Sequence, residues 1–124
     1  MKPPSSIFER PVFARVRRAC LALPGVIEKT AWGHPNFRAG RQTFCAFEMI
    51  KGRPSIAFKL TPASAKRLLG TTPHFATPYG RRRWVSVWVD GDVDHARMAA
   101  LVERSYRDVA GGKSRAKDGG EGGI

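Results

Sequence analysis

The chain reads as a single α+β domain in which helices pack on one face of an antiparallel sheet. Three observations predict this. Apolar residues recur at helical spacing near both ends, after Pro11 and after Asp94. Between them lie short strand-like runs separated by turns built on Gly, Pro and Asp. One run alternates cleanly, with Val85, Val87 and Val89 on one side and Trp84, Ser86 and Trp88 on the other. Strands joined by consecutive hairpins form an antiparallel sheet, which can leave one face open to water.

The elements follow in order. Pro11 suits a first helical turn, and Val12, Phe13, Val16, Ala19, Cys20 and Leu23 then form one stripe, with Arg15, Arg17 and Arg18 largely opposite. Leu23-Pro24-Gly25 ends this helix, because proline cannot continue the hydrogen-bond ladder and glycine permits the reversal. Strands are predicted over Val26 to Trp32, Asn36 to Ala39 and Thr43 to Ile50, with turns at Gly33-His34-Pro35 and Gly40-Arg41. Lys51-Gly52-Arg53-Pro54 makes a further hairpin loop. Ser55 to Leu60 then alternates, with Ile56, Phe58 and Leu60 on one face and Ser55, Ala57 and Lys59 on the other.

Thr61-Pro62 is an N-cap followed by proline at the first helical position, Ala65, Leu68 and Leu69 face inward, and Gly70 closes this short helix. Thr71 to Pro78 reads as irregular. After the strand through Val89, Asp90-Gly91 turns the chain and Asp94 caps a final helix whose buried stripe is Met98, Leu101, Val102, Ser105, Tyr106 and Val109. The expected organisation is a flexible N-terminal segment over 1–11, one domain over 12–110, and a Gly-rich disordered tail over 111–124.

The chain's 124 residues, 42% of them hydrophobic, suffice for one core and not for two ordinary domains. No apolar run approaches the ~20 residues that cross a bilayer, and the first residues lack a signal-peptide core, so a soluble, cytoplasmic, monomeric protein without membrane association is expected. Cys20 and Cys45 are far apart, have no C-x-x-C spacing, and read as small buried apolar thiols.

Charge is the most informative functional feature. The net charge is +12, and +10 of it lies between Val12 and Ala110, where 17 basic residues face 7 acidic ones. Between Gly33 and Val89 ten Lys or Arg residues stand against one acid, Glu48. Fixed positive charge concentrates phosphate-bearing partners, and aromatic faces among the charges accept stacked bases. With the apolar rows turned toward the helices, Arg38, Arg41, Lys51, Arg53, Lys59, Arg81, Arg82, Arg83, Trp84 and Trp88 are the expected nucleic-acid contacts. The same charges also suit a merely solvated face, and strand tryptophans often serve packing.

Catalytic chemistry has no comparable signal. The three histidines, His34, His74 and His95, lack metal-ligand spacing, so no metal is expected, and His34 is read as bonding its own turn's backbone. Glu48, ringed by cations, should have a depressed pKa and act as a salt-bridge partner. Neither a nucleophile elbow nor a phosphate-cradling glycine loop occurs, so neither an enzyme nor a cofactor is expected.

Several short motifs recur in order: Leu23-Pro24-Gly25-Val26, Trp32-Gly33-His34-Pro35 with Phe37-Arg38, Lys59 at a strand end, Pro78-Tyr79-Gly80 with Trp84-Val85, and Ser105-Tyr106-Arg107. Together they resemble the MmcQ/YjbR-like family over nearly all of Val12 to Ala110. The resemblance implies a YjbR-like α+β domain similar in fold to CyaY-like proteins, generally bacterial and cytoplasmic, and described as DNA-binding through a double-wing arrangement. It implies no catalytic residues. The expected function is thus binding of nucleic acid, foremost double-stranded DNA, with little base specificity. The alternative is a protein-interaction or chaperone-like module whose Trp84 and Trp88 face docks an acidic or extended peptide. A third reading, small-molecule binding or chemistry near His34 and Tyr79, requires a deep pocket enclosing both.

Overall fold

Six strands form one sheet in the order β1-β2-β3-β4-β6-β5, every neighbouring pair antiparallel. The computed structural model describes residues 8, 10–71, 74–78 and 83–111. Its elements are α1 (Pro11–Leu21), β1 (Val26–Ala31), β2 (His34–Ala39), β3 (Gln42–Ile50), β4 (Arg53–Lys59), α2 (Pro62–Leu69), β5 (His74–Ala76), β6 (Trp84–Trp88) and α3 (His95–Tyr106). A π-helical turn, Arg107–Gly111, extends α3. Strands β1 to β4 form a meander, and the chain then crosses through α2 and β5 before β6 enters between β4 and β5.

Two tight hairpins explain the meander. Trp32 and Gly33 have φ of 58° and 80°, and Lys51 and Gly52 have φ of 53° and 79°. Paired positive φ values are the type I′ geometry, whose twist matches that of the flanking strands. The first turn is therefore Trp32-Gly33, and His34 and Pro35 already belong to β2, two residues earlier than the sequence reading places them. Between β2 and β3 the register steps from Phe37↔Cys45 to Arg38↔Thr43, leaving Phe44 as the extra residue of a bulge. Such a bulge turns two successive side chains to one side. Both Phe44 and Cys45 are accordingly buried.

The three helices cover one face of the sheet, as expected. Val12, Phe13, Val16 and Cys20 of α1 and Met98, Leu101 and Val102 of α3 pack against Phe37, Phe44, Cys45, Phe47, Ile56, Phe58 and Val87. Phe47 is central, its ring centroid 4.7 Å from Phe13, 5.2 Å from Phe37 and 5.9 Å from Phe8. Ala65 of α2 packs on Leu60 and Val85 of the same face. Of the three residues expected to face inward on α2, Ala65 is buried, Leu68 is partly buried, and Leu69 is exposed. The helix ends are satisfied locally: Thr61 Oγ1 accepts from the Ser64 amide at 3.2 Å, and Asp94 Oδ1 from the Arg97 amide at 3.0 Å. The Tyr106 hydroxyl donates to the Pro24 carbonyl at 2.8 Å, tying α3 to the turn that precedes β1.

Several expectations are adjusted. Thr71 to Pro78, expected to be irregular, contains β5, which closes the sheet beside β6 with Phe75 opposite Ser86. Of the N-terminal segment expected to be flexible, Phe8 is buried in the core and Pro11 opens α1. The Gly-rich tail beyond residue 111 lies outside the described residues. Both cysteines are free and buried, and burial beside Cys20 pushes the Cys45 thiol well above its ordinary range. Among the described residues no helix is long and apolar enough to cross a membrane.

Candidate nucleic-acid interface on the open sheet face

The side chains that alternate away from the helices define the second face. With Phe37 and Ala39 in the core, Asn36 and Arg38 of β2 point the other way, as do Ala46 and Glu48 of β3, while His34 at the start of β2 has its ring 5.4 Å from that of Phe8. On β4 the set is Arg53, Ser55, Ala57 and Lys59, and on β6 it is Trp84, Ser86 and Trp88. The middle of this face is not open. Ala46, Ser55, Ala57 and Ser86 are small and buried beneath the larger side chains around them. Ser86 and Thr77 also share a buried hydrogen bond of 2.7 Å between hydroxyls. The result is a shallow trough with a floor of small residues. One hollow of about 290 Å³ lies along it, lined by Asn36, Thr43, Ala46, Glu48, Ala57, Thr77 and Trp84.

The pairing registers sort the expected cations into two groups at opposite ends of the trough. At one end, Arg38 pairs across to Thr43, Arg41 sits in the adjoining β2–β3 turn, and Lys59 ends β4 opposite Trp84. Lys59 Nζ donates to Gln42 Oε1 at 3.0 Å, which joins the ends of β4 and β3. Arg83 immediately precedes β6, and its Nε donates to the Leu60 carbonyl at 2.6 Å. At the other end lie Lys51, Arg53 and Trp88, with Arg53 about 20 Å along β4 from Lys59 at the rise of an antiparallel strand.

Arg53 differs in electrostatic state from the other cations of this face, Lys51 beside it included, which forms no ion pair among the described residues. Arg53 is committed: Nε and Nη2 donate to the two Asp90 carboxylate oxygens at 2.6 and 3.2 Å, and its guanidinium carbon lies 3.9 Å from the centroid of the Trp88 ring. That hydrogen-bonded pairing holds the Asp90 carboxyl below its ordinary range. Trp88 is stacked on Phe75 as well, with centroids 4.2 Å apart. Two groups each about 4 Å from one centroid occupy opposite ring faces, so neither face of Trp88 is left for a base. By contrast Arg38, Arg41, Lys59 and Arg83 form no ion pair among the described residues. The Arg38 Nε is shielded from solvent without a partner. Lys59 has its pKa lowered, first by partial burial and then by the charge of Arg83. Arg81 and Arg82, expected to act with them, lie outside the described residues, as does Tyr79.

Two expectations about polar residues are corrected. His34 bonds not its own turn but the β3 backbone, with Nδ1 3.1 Å from the Phe47 carbonyl. Glu48 makes no ion pair among the described residues, and its pKa is raised rather than depressed, because burial of the carboxylate outweighs the favourable charge of His34. The arginines near it in sequence point to other places. Sequence reasoning also passes over the trough itself, although Ala46, Ala57 and Ser86 at outward strand positions signal a groove between larger neighbours.

Fold and face together define a small α+β domain with one sheet face left free of helices, at one end of which Arg38, Arg41, Lys59 and Arg83 form no ion pair among the described residues. A family model for YjbR matches residues 21–108, and the chain belongs to the YjbR family. Among solved structures, it is similar to the Deinococcus radiodurans protein DR2400, whose domain is described as DUF419. The TM-score is 0.61 at 21% identity, covering 73% of this chain and 72% of that one. A Pseudomonas syringae protein is similar with a TM-score of 0.60 and 12% identity, over 86% of this chain and 97% of that one. At such identities the likeness is one of fold. No curated protein matches.

Proposed function

We propose that this domain binds nucleic acid, double-stranded DNA foremost, through phosphate contacts from Arg38, Arg41, Lys59 and Arg83, with little base selectivity and no enzymatic step. The observation that carries the reading is the unneutralised cluster. Three chain segments bring four cations to one end of the sheet, two of them close enough for Arg83 to depress the Lys59 pKa, with no acid paired to any among the described residues. Like charges held together are relieved by a polyanion, which also releases its own counterions. Trp84, half-buried at the same end, offers a ring edge beside the phosphates for packing against sugar or base.

The peptide-docking alternative rests chiefly on Trp88, whose two ring faces are taken by Phe75 and Arg53. The test is fluorescence anisotropy with a labelled duplex across a range of salt. The wild-type affinity should fall linearly in log–log form, by roughly 0.9 per phosphate contact on duplex DNA. The combined variant Arg38→Ala, Arg41→Ala, Lys59→Ala and Arg83→Ala should keep its circular dichroism spectrum, bind more weakly and lose slope. Unchanged affinity at low salt would reject this end of the sheet as the interface.

A further inference from the structure

At the end of the trough away from the cation cluster, a second hollow of about 510 Å³ is lined by Ala31, Trp32, His34, Asn36, Glu48 and Met49. Three unusual features meet there. Glu28, Asp90, Asp94, Glu103 and Asp108 each reach an arginine within 4.0 Å; of the described acids Glu48 and the exposed Asp92 reach none, and Glu48 is half-buried. A carboxylate withdrawn from water without a partner is destabilising, and such sites concentrate where a ligand supplies the missing charge. Trp32 is 97% exposed, so the largest apolar side chain type stands almost wholly in water. It also holds a φ of 58°, in a turn position that Asn, Asp or Gly occupies at less strain.

The remaining polar atoms agree in kind. The Phe47 carbonyl can only accept, so His34 Nδ1 carries a proton and that nitrogen is engaged within the fold. Asn36 Nδ2 donates to the His34 carbonyl at 3.2 Å, which leaves Asn36 Oδ1 as an acceptor. Glu48 and Asn36 Oδ1 therefore present acceptors to a ligand beside an exposed indole. A metal is the poorer fit, since among the described residues no three His, Cys, Asp or Glu side chains converge. A group that brings several N–H donors, positive charge and a face that lies on an aromatic ring fits every feature.

We propose that this hollow is a binding site for an organic cation, a guanidinium or primary ammonium group, which donates to Glu48 and Asn36 Oδ1 while lying against the Trp32 indole. The cation has two sources, a free amine or guanidine metabolite and an Arg or Lys side chain of another chain. Both present the same chemistry. Lys29, exposed, pairs with Asn36 from β1, and Arg53, diagonal to Glu48 across the β3–β4 ladder, is held by Asp90. The site is separate from the proposed nucleic-acid contacts and does not depend on them.

Calorimetric and tryptophan-fluorescence titration of the full chain tests this with agmatine, with an acetylated Gly-Arg-Gly amide, and with the same peptide carrying neutral citrulline. The arginine peptide should bind at least about tenfold more tightly than its citrulline counterpart, because hydrogen bonds from a charged donor are about twice as strong as neutral ones. Glu48→Gln should remove that preference, and Trp32→Ala should weaken both cationic probes and abolish the fluorescence response. Trp32 lies in an exposed turn, so the second variant keeps the test meaningful should the first disturb the sheet. Agmatine binding as tightly as the peptide supports the site and identifies a small-molecule source; much tighter peptide binding supports it and identifies a protein side chain. Equal affinity for arginine and citrulline, full binding by Glu48→Gln, or no binding of any probe at millimolar concentration overturns the proposal.

Discussion

Phe75 and Trp88 stack almost in parallel, their centroids 4.2 Å apart and their planes inclined by 17°. Phase and register make the pair possible: Phe75 lies opposite Ser86, so Trp88 is its diagonal neighbour on the same face of β6. A strand of three residues has little of its own to hold it at a sheet edge, and this pair is its anchor. Phe75→Ala should lower the unfolding free energy by about 2 kcal/mol, roughly half from the ring pair and half from lost area. Urea denaturation should show a lower midpoint at unchanged slope, with a shift in tryptophan emission.

Arg53 lies against the other face of Trp88 and is held there by Asp90. The Asp90 pKa is lowered by that hydrogen bond, so its contribution to stability is present above its ordinary value of 3.8 and is lost as pH falls through the lower folded value. Tryptophan emission in an acid titration should therefore change below pH 3.8, and Asp90→Asn should remove that step.

Glu48 has the opposite sign. Its folded pKa is raised by burial, so the folded protein binds the proton more tightly, and stability declines as pH rises from the ordinary value of 4.5 through the folded value. His34 on β2 is the charged group that opposes this shift, and Ser55 of β4 faces Glu48 across the ladder without a charge. Glu48→Gln should raise the unfolding free energy at pH 7, with the difference vanishing below pH 4.5. Parallel denaturation curves from pH 4 to pH 8 measure it, and a variant less stable than wild type at pH 7 would contradict the assignment.

The two ends of the trough should separate in DNA binding. Arg38→Ala and Lys59→Ala should each flatten the salt dependence by about 0.9 on duplex DNA, while Lys51→Ala leaves it unchanged. Arg53→Ala should affect the Trp88 environment instead of the salt slope, because its guanidinium is already engaged by Asp90.

Phe47 joins rings from the N-terminal segment, α1 and β2. Its truncation to alanine leaves a cavity where helix layer and sheet meet, at a cost of about 4 kcal/mol. Thermal unfolding should shift strongly downward, in contrast to surface changes such as Arg41→Ala.

Much of the fold was legible because local periodicity sorts side chains between the two sides of the sheet and the buried stripes of the helices. Val85-Ser86-Val87 and Ile56-Ala57-Phe58 alternate as read, and the stripes of α1 and α3 enter the core where their spacing puts them. β5 was not legible: three residues carry no period, and only pairing with β6 makes them a strand. The turn at Trp32-Gly33 was displaced in the reading by Pro35, which ordinarily marks a turn and here takes a buried strand position opposite Thr30. The trough was half-legible, its small floor residues visible in the alternation and its walls set by neighbouring strands.

By itself the order of residues determined the class of fold, the helix-facing rows, and a surplus of positive charge too large to be cancelled within the domain. Only the tertiary structure decided which charges remain available. Arg53 meets an aspartate 37 positions away and is spent, whereas among the described residues Arg38 and Lys59 meet no acid and Glu48 meets none of the cations that surround it in sequence. Electrostatic state depends on distance and burial in space, and hairpin register brings together side chains whose separation along the chain carries neither.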